Sequence, residues 1–121
     1  MVNIIIRGRI PSKKNNTIVL CRGGRAIHIP SNDYRKWHKL ASQQVMGLKN
    51  PSVGKPKNIT ITIFVPDKRK ADLTNKTESI MDMLVDNKIL DDDNWFCVPN
   101  ISLKFGGIDK ENPRAEINIQ I

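Results

Sequence analysis

From Ile59 to Val65 the chain alternates: Ile59, Ile61, Ile63 and Val65 against Thr60, Thr62 and Phe64. Successive side chains of a strand point to opposite faces, so a period of two demands a β-strand with one buried face. Phe64 is expected to cover the other face, and Pro66 ends the strand by withdrawing a backbone donor. A sheet with an apolar face needs a second layer laid on it, and two segments carry the period that supplies one. Between Asp33 and about Leu48, the residues Tyr34, Trp37, Ala41, Val45 and Leu48 recur at helical spacing, with Ser31, Asn32 or Asp33 available as cap. A second helix is expected from Asn75 to Asn87. Its buried stripe is Ile80, Leu84 and Thr77 with Met81 and Met83 beside it, and Asn75, Glu78, Asp82 and Asp86 share the opposite, polar stripe. Asn75 and Glu78 also have the spacing of a capping box, so Glu78 has two readings, as cap and as metal contact.

Shorter β-prone runs complete the set. Val2–Arg7 is rich in isoleucine and nearly continuously apolar, the pattern of a strand buried on both faces. Thr17–Cys21 and Arg25–Ile29 flank Arg22-Gly23-Gly24, which reads as a hairpin with a glycine turn. Trp95–Val98 and Asn100–Phe105 have β character, interrupted by Pro99. Gly106-Gly107 with Asp109–Pro113 is the expected turn, and Ala115–Ile121 alternates as a final strand. The order β, β-hairpin, α, β, α, β, β describes an α+β domain, a single mixed β-sheet with two main helices. At 121 residues the chain fits one domain spanning 1–121, with little room for a second core.

Charge narrows the class of partner. The formal net charge is +8, and 15 of the 20 Lys and Arg fall in residues 1–71, where only Asp33 and Asp67 oppose them. Such a basic half gathers polyanions by releasing their condensed counterions. Candidate phosphate contacts are Lys13 and Lys14 in the loop after Pro11, then Lys68, Arg69 and Lys70, with Lys76 a little further on. Cys21 and Cys97 lack zinc or redox spacing and are expected to be reduced thiols, and His28 and His38 lack metal-ligand spacing. The apolar run Val2–Ile6 is too short for a bilayer and meets Arg7 and Arg9 instead of a cleavage site. Neither a signal peptide nor a membrane helix is expected, and the cytoplasm is the expected compartment.

Against this basic background the acids collect in two segments, Asp72 to Glu78 and Asp91-Asp92-Asp93-Asn94. Three adjacent like charges repel, so a folded chain solvates them or neutralises them with a cation. The run lacks the alternating acceptors and glycine of an EF-hand loop. Hard carboxylate oxygens favour Mg²⁺ or Mn²⁺, and no Ser, Cys or His sits in a nucleophile setting. Metal-assisted hydrolysis of nucleic acid is therefore the reaction class these residues favour. A basic RNA-binding domain is the competing class, but the chain lacks aromatic-rich recognition motifs.

In order, Asp72-Leu73-Thr74-Asn75, then Asp82 and Leu84, then Asp92-Asp93 resemble the RusA family of Holliday-junction resolvases, whose pattern runs Asp-x-Asp-Asn, an Asp on the next helix and an Asp-Asp pair. Gly8-Arg9-Ile10-Pro11-Ser12-Lys13-Lys14 is similar to that family's opening. The resemblance implies a homodimeric, Mg²⁺-dependent endonuclease that makes paired nicks across four-way DNA junctions. By motif position it makes Asp72 and Asp93 catalytic, with Asp92 beside them. Two positions depart from the pattern: Thr74 stands where the family usually has a second catalytic aspartate, and Glu78 where a lysine is common. Glu78 or Asp82 is then expected to complete a metal cluster with Asp72, Asp92 and Asp93, while Lys70 or Lys76 supplies the cation at the phosphate. The alternative implied by Thr74 is a protein that binds branched DNA without cutting it.

Overall fold

The alternating isoleucines lie in register across a sheet. In the computed structural model, which describes residues 2–12, 17–30, 32–48 and 52–121, the elements are β1 (Val2–Arg7), β2 (Thr17–Arg22), β3 (Arg25–Pro30), α1 (Asn32–Met46), β4 (Asn58–Val65), α2 (Leu73–Asp86), β5 (Ile101–Ile108) and β6 (Arg114–Gln120). Four strands form one mixed sheet in the order β1-β6-β4-β5, and β2 pairs with β3 as a separate hairpin. The β4–β5 pair is parallel and the other pairs are antiparallel. Parallel neighbours need a crossover, and α2 is that crossover.

Register places the apolar residues in rows. Ile4 lies opposite Ile117, Ile117 opposite Ile61, and Ile61 opposite Leu103; parallel rows run Val2, Ile119, Ile59, Ile101 and Ile6, Ala115, Ile63, Phe105. Ile4, Ile6, Ile59, Ile61, Ile63, Ile117 and Ile119 are fully buried, each contributing about 1.5–3 kcal/mol of hydrophobic stabilisation. Tyr34, Trp37, Ala41 and Val45 of α1 and Ile80, Met83 and Leu84 of α2 complete this core. Leu48, expected on the α1 stripe, lies beyond the helix and is exposed. In β1 only Ile4 and Ile6 are buried and Ile5 faces solvent, so this strand has one covered face, not the two its composition suggests. The sheet carries helices on a single side, and β1 is its margin.

Three further expectations are corrected. Trp95–Val98 is a turn, because the Asn94 side chain accepts the backbone N–H groups of Phe96 (3.0 Å) and Cys97 (3.1 Å); this local bonding outcompetes the β-propensity of the aromatic pair. Gly106 and Gly107 belong to β5, at a register shift opposite Ile63 and Phe64. A Cβ on Gly106 would stand 2.6 Å from the Phe64 ring, whose face carries the Arg114 guanidinium at 3.9 Å. That is how Phe64 meets the side of the sheet away from the helices. Finally, α2 begins at Leu73 with Asp72 as N-cap in extended conformation, three residues earlier than an Asn75 cap allows. Asn75 lies inside the first turn and donates to the Asp72 carboxylate at 3.3 Å, so the capping-box reading of Asn75 and Glu78 does not hold.

The hairpin matches its expectation. Gly23 and Gly24 both have positive φ, the conformation a tight two-residue turn needs between strands. Among the described residues no helix is long and apolar enough to cross a membrane.

Candidate active site

Pro66 ends β4, and the next residues form a charged corner. Asp67 accepts three bonds from Arg69, from its backbone N (3.0 Å), Nε (3.0 Å) and a terminal nitrogen (2.9 Å). Arg69 is thus held by its own loop, whereas Lys68 and Lys70 stand exposed. Beyond them Asp72 caps α2 with its carboxylate exposed. It opens into a basic cleft of about 660 Å³ whose cations are Arg9, Arg69, Lys70 and Lys76.

Lys76 is a candidate site residue whose setting sequence spacing understates. Its side chain is buried and Nζ donates to the Ile10 carbonyl at 2.6 Å, while Ser79 Oγ donates to the Pro11 carbonyl at 2.6 Å. Burial, and then the neighbouring Arg9 guanidinium, push the Lys76 ammonium below its usual range. Two bonds from α2 therefore hold the segment that leads into the Lys13 and Lys14 loop; those two lysines lie outside the described residues. The signal for Lys76 was present: it precedes the buried Ile80 by four residues, one helical turn. Trp37 Nε1, buried beside the same cleft, has no hydrogen-bond partner among the described residues.

A second cleft lies further along α2. Thr74, Glu78 and Asp82, on successive turns, line it with Asp93, Ile101 and Leu103. Asp82 accepts from the Tyr34 hydroxyl at 3.3 Å, and His38 Nε2 meets Asp86 at 2.8 Å, so α1 grips the polar stripe of α2. Burial first, then Asp82 and Asp86, hold the Tyr34 hydroxyl protonated far above its ordinary range. Neither contact follows from the spacing of either helix alone.

The Asp91–Asn94 run divides its work. The Asp91 backbone N–H pairs with the Gly54 carbonyl at 2.9 Å. Asp92 accepts from the Asp93 backbone N–H (2.7 Å) and Asn94 Nδ2 (3.0 Å), and those bonds hold its carboxyl below the usual range. Asp93 moves the other way: burial, a hydrogen bond with Asp92, and the charges of Asp92 and Asp82 raise its carboxyl. A carboxyl raised by its anionic neighbours is a place where a cation relieves repulsion.

The structure thus brings Glu78, Asp82, Asp93 and Thr74 to one cleft and leaves Asp72 at the mouth of another. Among the described residues no three carboxylate or imidazole groups stand close enough together to share an ion. The donors nevertheless fit a hard divalent cation in type, all being oxygen, and in charge, because Asp93 is crowded by acids.

The family model of endodeoxyribonuclease RusA matches residues 9–120. The chain belongs to the RusA family. No curated protein matches it. Family membership makes this RusA chain an endodeoxyribonuclease of the Holliday-junction class, and its α+β fold, one mixed sheet with two helices, agrees with the assignment. In this member the departures at 74 and 78 fall on one helical face: Thr74 and Glu78 are one turn apart and line the same cleft. A carboxylate lost at the first position is matched by one gained a turn later.

Proposed function

We propose that this RusA chain is a divalent-metal-dependent endonuclease that resolves four-way DNA junctions as a homodimer, by paired phosphodiester hydrolysis. The observation that supports this most directly is the cleft in which Glu78 and Asp82 of α2 face Asp93. Asp82 and Asp93, whose charges interact, would hold Mg²⁺ or Mn²⁺ there with waters in the remaining positions and Glu78 lining the same cleft, while Asp92 fixes the backbone of Asp93 through its 2.7 Å bond. A bound divalent cation neutralises charge on a phosphate oxygen and lowers the proton affinity of water. The protein's own groups do the rest. Lys68, Lys70 and Arg9 gather the DNA backbone, and Lys70 and Lys76 place positive charge at the phosphate. Asp72, exposed beside these cations, orients the attacking water and accepts its proton.

The deciding experiment is cleavage of a labelled synthetic four-way junction with a metal titration. Asp72→Asn and Asp93→Asn should each slow cleavage at least about 100-fold, the usual size of an acid–base or metal-site loss, with junction affinity within a few-fold of wild type. Full Mg²⁺-dependent cleavage by either variant overturns the assignment. A second reading, a branched-DNA binder that does not cut, is favoured by Thr74 and by the separation of the carboxylates. Junction binding with no cleavage at any Mg²⁺ or Mn²⁺ concentration would establish it.

A further inference from the structure

The parallel pair of β4 and β5 ends in a further cavity, one that the acidic and basic clefts do not explain. Its floor is made by two cross-strand pairs, Ile63 with Phe105 and Val65 with Ile108, and Leu73 of α2 stands at its side. Phe105 (63%) and Ile108 (52%) are exposed, and large apolar side chains left open around a cavity mark a place of contact. The charged corner after β4 supplies the rim: Lys68, Arg69 and Lys70 line the same cavity. Asp67 holds Arg69, whereas Lys68 and Lys70 are exposed and make no ion pair among the described residues. The cavity encloses about 390 Å³, at the small end of ligand sites. That is room for one or two side chains and too little for a folded surface.

An apolar floor under free cations fits a ligand that is apolar in the middle and anionic around it. Duplex DNA offers its phosphates to the rim but leaves the floor empty, because its bases are stacked inside. An unstacked base fits poorly too. Its ring nitrogens and carbonyls would be buried against aliphatic side chains, and a buried polar group without a partner costs binding. The polar side chains around the cavity come only from residues 67–70 and Lys76, and Asp67 and Lys76 are already bonded elsewhere. A peptide side chain has no such edges. We propose that this cavity docks an acidic peptide segment of a partner protein. One large apolar side chain, phenylalanine or leucine in size, sits on the floor, and the carboxylates flanking it meet Lys68 and Lys70. A single anchor in a dry pocket supplies most of the affinity of such a contact, and the opposite charges around it set register and speed the encounter.

The test is fluorescence anisotropy on the full chain at about 0.15 M salt, where separated surface charges are largely screened. The probes are a short labelled peptide of aspartates around one phenylalanine and its twin with serine in the phenylalanine's place. Wild type should bind the phenylalanine peptide at least about tenfold more tightly, the usual effect of removing an anchor. Phe105→Ser combined with Ile108→Ser, both at exposed positions, should lose that preference with an unchanged far-UV circular dichroism spectrum. Lys68→Ala combined with Lys70→Ala should weaken both peptides and keep the preference, as separate contributions require. Equal binding of the two peptides by wild type overturns the proposal, since charge alone then accounts for the attraction. A preference that survives the loss of Phe105 and Ile108 overturns it as well. If the Phe105→Ser, Ile108→Ser variant instead loses junction affinity, or halves the mass seen by light scattering, the cavity belongs to DNA or to a second copy and the proposal fails. None of these readouts is cleavage, so failure here and failure of the metal-dependent nuclease are told apart.

Discussion

Asp93 is the residue where the fold and the proposed function pull in opposite directions. Its carboxyl is raised by burial, Asp92 and Asp82. A carboxyl raised in the fold favours the folded state below its unfolded value, near pH 4, and that contribution is lost as pH rises through the raised value. At pH 7 without metal the charged Asp93 is therefore a strain on the fold. Asp93→Asn should raise Tm slightly at pH 7, by about 1 °C given the weak coupling of solvated charges, and should have no such effect at pH 3. Calorimetry at the two pH values reads this directly. Mg²⁺ should reverse the ranking: bound at a hundred times its Kd, an ion adds about 2.7 kcal/mol to the wild type, and Asp93→Asn should gain little. Equal Mg²⁺ stabilisation of both proteins would remove Asp93 from the ion's donor set.

The elements that the sequence makes legible are those whose pattern agrees with their surroundings. β4 alternates and is buried on alternate residues; α1 and α2 place their apolar stripes on the sheet. Ile80→Ala, removing a side chain with no exposure, should cost about 3 kcal/mol and lower Tm by roughly 10 °C with the fold retained. What periodicity hides is contact between elements and local polar bonding. The turn at Trp95–Val98 is decided by one asparagine side chain, and the placement of Gly106 by the ring of Phe64 on the neighbouring strand β4. The candidate site was half legible: its acids were marked by composition and motif order, but which of them share a cleft depends on how α2 faces Asp93. The grip of α1 on that face is testable. Tyr34→Phe removes the bond to Asp82 and should cost about 1 kcal/mol, while lowering kcat for the junction with KM unchanged. A KM effect alone would make Tyr34 a DNA contact.

Across the whole molecule, charge and donors are segregated along α2: cations gather around its N-terminus and carboxylates line its next turns. Binding should weaken steeply with salt. Alanine at Lys68, Arg69 and Lys70 together should lower the log–log salt slope by roughly 2–3, since each phosphate contact is worth about 0.9, with a smaller share from Arg69 because Asp67 already holds it. The loss should be similar for junctions of different sequence, as measured by filter binding or anisotropy. The stack of Gly106, Phe64 and Arg114 on the far side of the sheet bears on how this architecture is reached during folding. A slip of β5 by one residue along β4 that puts Phe105 where Gly106 lies would bring a Cβ less than 3 Å from the Phe64 ring, and a slip in either direction would turn every β5 side chain to the wrong face. The ring blocks the slip toward Phe105 and the reversed faces oppose the slip toward Gly107, so the native alignment of the last parallel pair is favoured from both sides.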